Sequence, residues 1–201
     1  MVLFTNLNRL KYLSTSKTRK NKYIVKYTPL VFFILLSVCI NYAQEKNFSY
    51  FKLCVTNEQD KILLVKFRDV WELPGKKFTD PRSISEFSSF MSEELGVTHD
   101  ELRLRGLFTF YYNKAQYPII YNYYSSKYKS GDLTVPPGCS DIAWFSIEEA
   151  QSIIPIKTMR LILGKMFEQK SYVWGASILV HKGTSLDGEI EFKEDFYPLS
   201  K

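Results

Sequence analysis

Histidine and cysteine are scarce in this chain of 201 residues, which has 2 histidines and 3 cysteines. His99 and His181 lie far apart in the sequence, and no Cys-x-x-Cys pair occurs. Structural zinc sites need about four ligands, most of them Cys or His, so the sequence argues against a zinc site. Internal repeats and low-complexity tracts are also missing, which argues against a repeat protein.

A long apolar run is missing too. The main one, residues 29–40, has 12 residues, whereas a membrane-spanning helix needs about 20. A basic segment precedes this run and Asn41-Tyr-Ala-Gln44 follows it, an order typical of a secretory signal peptide. We therefore expect residues 1–43 to be a signal peptide, cleaved near Ala43, that exports the domain to the periplasm or the outside.

Two other interpretations of residues 1–43 lead to the same compartment. Leu36-Ser-Val-Cys39 would be a lipobox, with Cys39 lipidated. Alternatively, the segment stays uncleaved as a membrane anchor, oriented by its basic flank. In each case the protein contacts the membrane only through its N-terminal segment.

An excess of one charge is absent from the rest of the chain. Residues 1–44 contain seven basic residues and no acidic one. Without them, 20 of the 27 basic residues remain against 21 acidic ones, so the net charge falls from +6 to −1. No basic surface for nucleic acid is therefore expected.

Two cysteines remain after the leader. Cys54 falls in a predicted strand and Cys139 in a Pro-Pro-Gly-Cys loop. Export would place both in an oxidising compartment, where disulfides form. The sequence leaves open whether they pair or stay as thiols, one buried and one exposed.

The most informative segment begins at Trp71-Glu-Leu-Pro-Gly75. A short polar loop follows, and residues 83–97 then predict an amphipathic helix with Gly96 as its stop. The apolar stripe of this helix consists of Ile84, Phe87, Met91 and Leu95. Glu93 and Glu94 lie on its last turn, where oxygen ligands suit a magnesium ion that bridges to phosphate.

These residues resemble the box of the Nudix hydrolases, G-x5-E-x7-R-E-U-x-E-E-x-G-U, in which U is a bulky aliphatic residue. The C-terminal half of the box matches at Met91, Glu93, Glu94, Gly96 and Val97. The strand end before it is also similar to the Trp-x-x-Pro-Gly-Gly of the family, with Lys76 in place of the second glycine.

The N-terminal half of the box departs from the family pattern. Counting back places Gly75 at the opening glycine, but Pro81 at the first glutamate, Ser89 at the arginine and Phe90 at the next glutamate. In the family, that last glutamate is a principal metal ligand and the arginine helps to fix the carboxylates. The resemblance therefore implies a degenerate site.

The resemblance implies hydrolysis of a diphosphate-containing, nucleoside diphosphate-type compound with Mg²⁺ as cofactor. Glu93 and Glu94 would be catalytic residues and metal ligands, and Glu86 would supply a displaced catalytic carboxylate. Gly75 and Phe90 would contact the substrate. The alternative is a non-catalytic Nudix-fold binding or interaction module of the cell envelope.

The order of predicted elements is similar to the Nudix-type α/β/α sandwich with a mixed sheet. The predicted strands cover residues 50–56, 61–67, 102–112, 117–128 and 141–145. We expect a Nudix-like domain at residues 49–169 and a C-terminal β-hairpin extension of the same domain at residues 170–201.

Seven of the 14 tyrosines fall on the two long predicted strands: Tyr111, Tyr112, Tyr117, Tyr121, Tyr123, Tyr124 and Tyr128. Their rings would form a stacking wall for a base or a sugar. The other interpretation is the ordinary preference of tyrosine for half-buried strands.

Overall fold

The computed structural model describes residues 49–79, 81–112, 117–181 and 188–201. The expected signal peptide at residues 1–43, with Cys39, lies outside the described residues. Within the described ranges, no helix is both long enough and apolar enough to span a bilayer.

The described residues form ten strands and three helices. The strands are β1 (Ser49–Thr56), β2 (Ile62–Phe67), β3 (Val70–Glu72), β4 (Gly75–Phe78), β5 (Val97–His99), β6 (Arg103–Tyr112), β7 (Ile119–Gly131), β8 (Cys139–Phe145), β9 (Val173–Val180) and β10 (Ile190–Ser200). The helices are α1 (Ile84–Leu95), α2 (Ile147–Ile153) and α3 (Lys157–Glu168).

The strands form an open, mixed sheet with the order β10-β9-β6-β7-β1-β2-β3. β1 runs parallel to β7 and β6 parallel to β9, while the other neighbours on this path are antiparallel. β8 adds to β2, β4 to β1 and β5 to β7. The expected α/β fold with a mixed sheet and a C-terminal hairpin, β9–β10, is confirmed.

Two apolar clusters cover the two faces of the sheet. Phe51 and Leu53 of β1 pack in one cluster with Phe87 of α1. Cys54, the residue after Leu53 on β1, packs in the other cluster with Ile162 of α3. Successive strand residues point to opposite faces, so α1 lies on one face while α2 and α3 lie on the other. Each fully buried large apolar side chain contributes about 1.5–3 kcal/mol to this sandwich.

Helix α1 has a cap at each end. The Ser83 hydroxyl accepts a hydrogen bond from the Glu86 backbone N–H at 3.2 Å, and the Glu86 carboxylate accepts one from the Ser83 N–H at 2.8 Å. This reciprocal pair is a capping box. At the other end Gly96 has φ of 73°, and a side chain there would collide with the Asp132 carbonyl oxygen. Glycine is therefore required where the helix stops.

Two details near α1 differ from the sequence-based expectation. Ile84 is 42% exposed, because it lies in the first turn and the buried face begins at Phe87. The expected polar loop after Gly75 is partly strand β4, since residues 75–78 pair with residues 49–52 of β1.

Cys54 and Cys139 are free thiols in this structure. Cys54 is buried in the cluster against α3, while Cys139 packs against the cluster on the α1 face. Their placement on opposite faces of the sheet favours two separate thiols over a disulfide.

Candidate active site

A cavity of about 790 Å³ lies where β3, β4 and α1 meet. Met91 of α1 lines it on one side of the sheet, and Tyr123 and Met159 line it on the other. The cavity therefore reaches both faces. Gly75, which the sequence predicts as a substrate contact, is part of its wall.

Charged side chains on the cavity wall form two ion pairs. The Lys52 ammonium lies 3.0 Å from the Glu72 carboxylate. The Lys76 ammonium lies 2.6 Å from both oxygens of the Glu94 carboxylate. Each carboxylate of the wall thus already has a positively charged partner.

The wall carries more positive than negative groups. Its charged residues are Lys52, Arg68, Lys76, Lys77, Glu72 and Glu94. The wall therefore has two more basic than acidic side chains. Burial raises the pKa of the Cys139 thiol, and the charges of Glu72, Lys76, Lys52 and Glu94 act on it to a smaller extent.

Lys52 is the more deeply buried of the paired lysines, with its side chain 8% exposed. Its ammonium donates to Glu72 and to the Leu73 carbonyl oxygen, both at 3.0 Å. Gly75 lies opposite Lys52 in the β1–β4 ladder, and a Cβ at position 75 would lie 2.8 Å from the Lys52 Cε. Glycine at position 75 therefore leaves the space that the buried lysine fills.

The structure places the two predicted acids, Glu93 and Glu94, in different surroundings. Glu94 is 20% exposed and lines the cavity with Gly75. Glu93 is exposed and is not among the cavity-lining residues. The structure therefore brings only one of the paired acids to Gly75, and the predicted metal-binding role of both stays a prediction.

Glu86 lies elsewhere on α1. Its carboxylate accepts hydrogen bonds from the backbone and the hydroxyl of Ser83, both at 2.8 Å. These bonds lower the pKa of Glu86. Glu94 lies eight positions further along the chain, which is about 12 Å along the helix axis. In this structure Glu86 serves the helix cap and does not reach the cavity.

Phe90 occupies the box position of the metal-binding glutamate. The Arg82 guanidinium carbon lies 4.1 Å from the centre of its ring, and the Lys76 ammonium lies 5.0 Å from it. Both are cation–π contacts. Phe90 therefore contacts the cavity wall through Lys76, and positive groups surround the position where the family has a carboxylate.

The Mg²⁺ ion that the resemblance implies needs several oxygen ligands. Among the described residues, no group of three His, Cys, Asp or Glu side chains is arranged to hold a metal ion. Glu72 and Glu94 each contact a lysine ammonium, and Glu86 caps the helix. The donor set of the cavity does not fit a magnesium site.

The part of the cavity on the α3 face is aromatic. The rings of Tyr50 and Tyr121 stack with centres 4.7 Å apart, and the hydroxyls of Tyr121 and Tyr112 lie 3.2 Å apart. Burial raises the pKa of Tyr121 and of Tyr123. These phenols therefore stay protonated and remain able to donate hydrogen bonds.

The tyrosines of the long strands divide between the two interpretations. Tyr112, Tyr121 and Tyr123 line the cavity, as a stacking wall requires. Tyr124 and Tyr128 pack on the α1 face, and Tyr111 and Tyr117 are exposed. Three of the seven therefore line the cavity, where stacking on a ligand stays a prediction, and strand preference accounts for the others.

Sequence reasoning missed Lys52, Glu72 and Lys76. Lys52 interrupts the apolar run Phe51-Lys-Leu-Cys-Val55, and a charged residue in a buried strand requires a partner. This interruption is a usable signal. Lys76 stands where the strand-end motif has its second glycine, so the departure from the motif was the second signal.

A smaller cavity of about 330 Å³ lies near the end of α3. Its buried Arg105 donates to the carbonyl oxygens of Met166, at 2.5 Å, and Gln169, at 3.3 Å. Lys127, also on its wall, pairs with Asp60 at 3.0 Å. Arg105 thus satisfies the C-terminal carbonyls of the helix, and we assign this cavity a structural role.

Solved Nudix structures share this architecture. A MutT protein from Bacillus halodurans is 15% identical, with a TM-score of 0.56 over 73% of this chain and 97% of that one. The NUDIX domain of Shewanella oneidensis NrtR, complexed with ADP ribose, is 15% identical, with a TM-score of 0.54 over 63% and 90%. A NUDIX hydrolase from Nitrosomonas europaea is 19% identical, with a TM-score of 0.52 over 61% and 90%.

No protein-family model and no curated protein matches the sequence. At these identities the structural similarity establishes the fold, which is the Nudix fold.

Proposed function

We propose that this Nudix-fold protein binds a diphosphate-containing compound of the nucleoside diphosphate type in the cavity beside Gly75. The observation that carries the proposal is the lining of the cavity, which combines an excess of positive groups with tyrosine rings. A diphosphate is bound by positive donors, and a base packs on aromatic faces. ADP ribose, which combines both parts, is the ligand of the NrtR NUDIX domain.

We propose binding without catalysis as the main function. Glu72 and Glu94 are paired with lysines, and Phe90 is contacted by two cations. Hydrolysis in the family depends on carboxylates that are available to a metal ion, whereas anion binding needs only the positive groups. The available side chains therefore support a non-catalytic binding module.

Hydrolysis of the same class of compound is the second candidate. One feature favours it: Glu94, a paired acid of the box, lies on the cavity wall with Gly75. Its carboxylate would first have to leave Lys76. A missing transition-state contact costs about 10²- to 10³-fold in rate, so the expected activity is weak.

We also propose that the domain acts outside the cytoplasm, because the basic and apolar segments of residues 1–43 have the order of an export signal. These residues lie outside the described part of the chain. An extracytoplasmic binding module would meet ligands that are released into or imported through the envelope.

The two candidates are separated by measuring binding and turnover on the full-length chain. Calorimetry with ADP ribose should detect binding, and chromatography after incubation with Mg²⁺ should detect neither AMP nor ribose 5-phosphate, the two products of diphosphate hydrolysis. Product formation that Glu94→Gln abolishes, and that Glu148→Gln on the exposed face of α2 does not, would favour the hydrolase. Failure of ADP ribose, ADP and UDP-glucose to bind would contradict the proposal.

A further inference from the structure

We propose that the Lys76 ammonium takes the place of a divalent cation in this cavity, so that the diphosphate is bound directly by lysine and without a metal ion. The inference rests on the proposed function, since it concerns how the same cavity holds the anion.

The first argument is the position of Lys76. It follows Gly75 on β4, and its ammonium lies 2.6 Å from both carboxylate oxygens of Glu94. Glu94 is the box acid to which the resemblance assigns a metal ion. A fixed positive charge of the protein therefore occupies the place in which Glu94 would hold a free cation.

The second argument is that this charge remains accessible. The Lys76 side chain is 38% exposed, although it contacts Glu94 and lies over the Phe90 ring. A lysine ammonium has three N–H donors. With two directed at the Glu94 oxygens, the third is available to a phosphate oxygen at the cavity.

The third argument is the charge around it. Lys52 lies in the same wall, held by Glu72 and by the Leu73 carbonyl. The wall also includes Arg68 and Lys77. Four basic and two acidic side chains line the cavity as a whole, so its wall attracts an anion and repels a divalent cation by Coulomb's law.

The fourth argument comes from Phe90. The resemblance implies a second metal ligand at this position of the box. This chain has instead a phenylalanine, whose ring is contacted by Lys76 and Arg82. An aromatic face attracts cations that belong to side chains, yet it donates no oxygen to a metal. Lys76 and Phe90 therefore replace a metal ion and its ligand together.

The ligand test uses ADP ribose and inorganic pyrophosphate with the full-length chain. We expect the dissociation constants from calorimetry to agree within about twofold in excess EDTA and in millimolar Mg²⁺, because the protein supplies the charge. Binding that is detected only with Mg²⁺ would overturn the inference while leaving the proposed function intact.

Three variants test the role of Lys76. Lys76→Gln removes the charge and should weaken binding by about 10- to 100-fold, the range for a hydrogen bond to a charged group. Lys76→Arg keeps a cation and should bind nearly as well as wild type in EDTA. Lys193→Gln removes a lysine that is paired with Glu191 at 2.7 Å outside the cavity and should change nothing. Equal binding by wild type and Lys76→Gln, or equal loss in Lys76→Gln and Lys76→Arg, would overturn the inference.

A metal titration gives a result that does not depend on any organic ligand. Electron paramagnetic resonance of Mn²⁺ added to wild type and to Glu94→Gln should show the same binding, since Glu94 is engaged by Lys76. Weaker Mn²⁺ binding in Glu94→Gln would show that Glu94 is a metal ligand and would overturn the inference. If no diphosphate binds, the proposed function fails and this titration still decides the role of Glu94.

Discussion

The ammonium nitrogen of Lys76 lies 5.0 Å from the centre of the Phe90 ring. The guanidinium carbon of Arg82 lies 4.1 Å from the same centre. Contacts of this kind contribute about 0.5–1 kcal/mol at exposed sites. A carboxylate placed at position 90 would meet both cations before it met a metal ion, so restoring the family residue alone would not restore a metal site.

Phe90→Glu should therefore leave Mn²⁺ binding nearly unchanged. Combined with Lys76→Gly, which frees Glu94, it should tighten Mn²⁺ binding on the order of tenfold or more, because ligand charge count sets affinity. Electron paramagnetic resonance measures the Mn²⁺ affinity of the single and the double variant. Phe90→Glu with Lys193→Gln is the control, since Lys193 is paired with Glu191 outside the cavity. A full gain from Phe90→Glu alone would contradict the role given to Lys76.

Gly75→Ala should lower the free energy of unfolding by about 1–3 kcal/mol, the cost of overpacking. The new Cβ would lie 2.8 Å from the Lys52 Cε, and Lys52 is held in place by its ion pair. Gly164→Ala is the control, because its Cβ would meet only the Gln151 amide at 3.3 Å and alanine favours a helix by about 1 kcal/mol. Urea unfolding compares the two. Equal effects would contradict the packing argument.

The Lys52–Glu72 pair should be strongly coupled. Removing one partner of a buried ion pair lowers the free energy of unfolding by about 3–5 kcal/mol. Because the Glu72 side chain is 20% exposed, we expect the lower end of this range for Glu72→Gln. Adding Lys52→Met should recover part of the loss, because the unpaired charge is gone. Glu191→Gln, in an exposed pair with Lys193, should cost less than about 1 kcal/mol. A double-mutant cycle without coupling would rule out the buried pair.

Local signals predicted the helix of the box well. Ser83 and Gly96 fix its ends through short-range hydrogen bonds and backbone geometry, and Phe87 and Met91 fix its buried face. The prediction that Ile84 packs on the sheet was wrong. Helical spacing shows which residues share a face of the helix, but not at which residue that face begins to contact the sheet. The fold class followed from the order of the predicted elements together with the resemblance to the Nudix box.

The charged part of the cavity depends on contacts that the sequence does not show. Lys52 and Glu72 are 20 residues apart and meet because β4, which begins at Gly75 shortly after Glu72, pairs with β1. Lys76 and Glu94 are 18 residues apart and meet because α1 packs beside β4. Spacing along the chain placed Glu86, Glu93 and Glu94 on one helix, but only the packing decides which of them faces the cavity.

The expected signal peptide gives a prediction about processing. We propose that residues 1–43 are removed on export, so mass spectrometry of the protein from an envelope fraction should find an N-terminus near Gln44. Cys39→Ser should not affect this processing, whereas the lipobox interpretation requires that it block it. Recovery of the intact chain from the cytosol would contradict export.

The two cysteines of the domain should differ in reactivity. Burial raises the pKa of the Cys54 thiol to about 12, and only the thiolate is nucleophilic. Iodoacetamide at about pH 8 should therefore label Cys139 slowly and leave Cys54 unlabelled until urea is added, with peptide mapping to locate the label. A disulfide would instead leave both unlabelled until a reductant is added.

The raised pKa of Cys54 also fixes the sign of a pH effect on stability. The folded protein favours the neutral thiol, so its contribution to the free energy of unfolding is complete below pH 9.0, the ordinary value, and is lost as the pH rises towards about 12. Urea unfolding of wild type and Cys54→Ala across this range isolates the effect from the tyrosines, which both proteins share. Wild type should lose stability more steeply than Cys54→Ala. Parallel curves would show that the Cys54 thiol ionises in the folded protein as readily as in the unfolded chain.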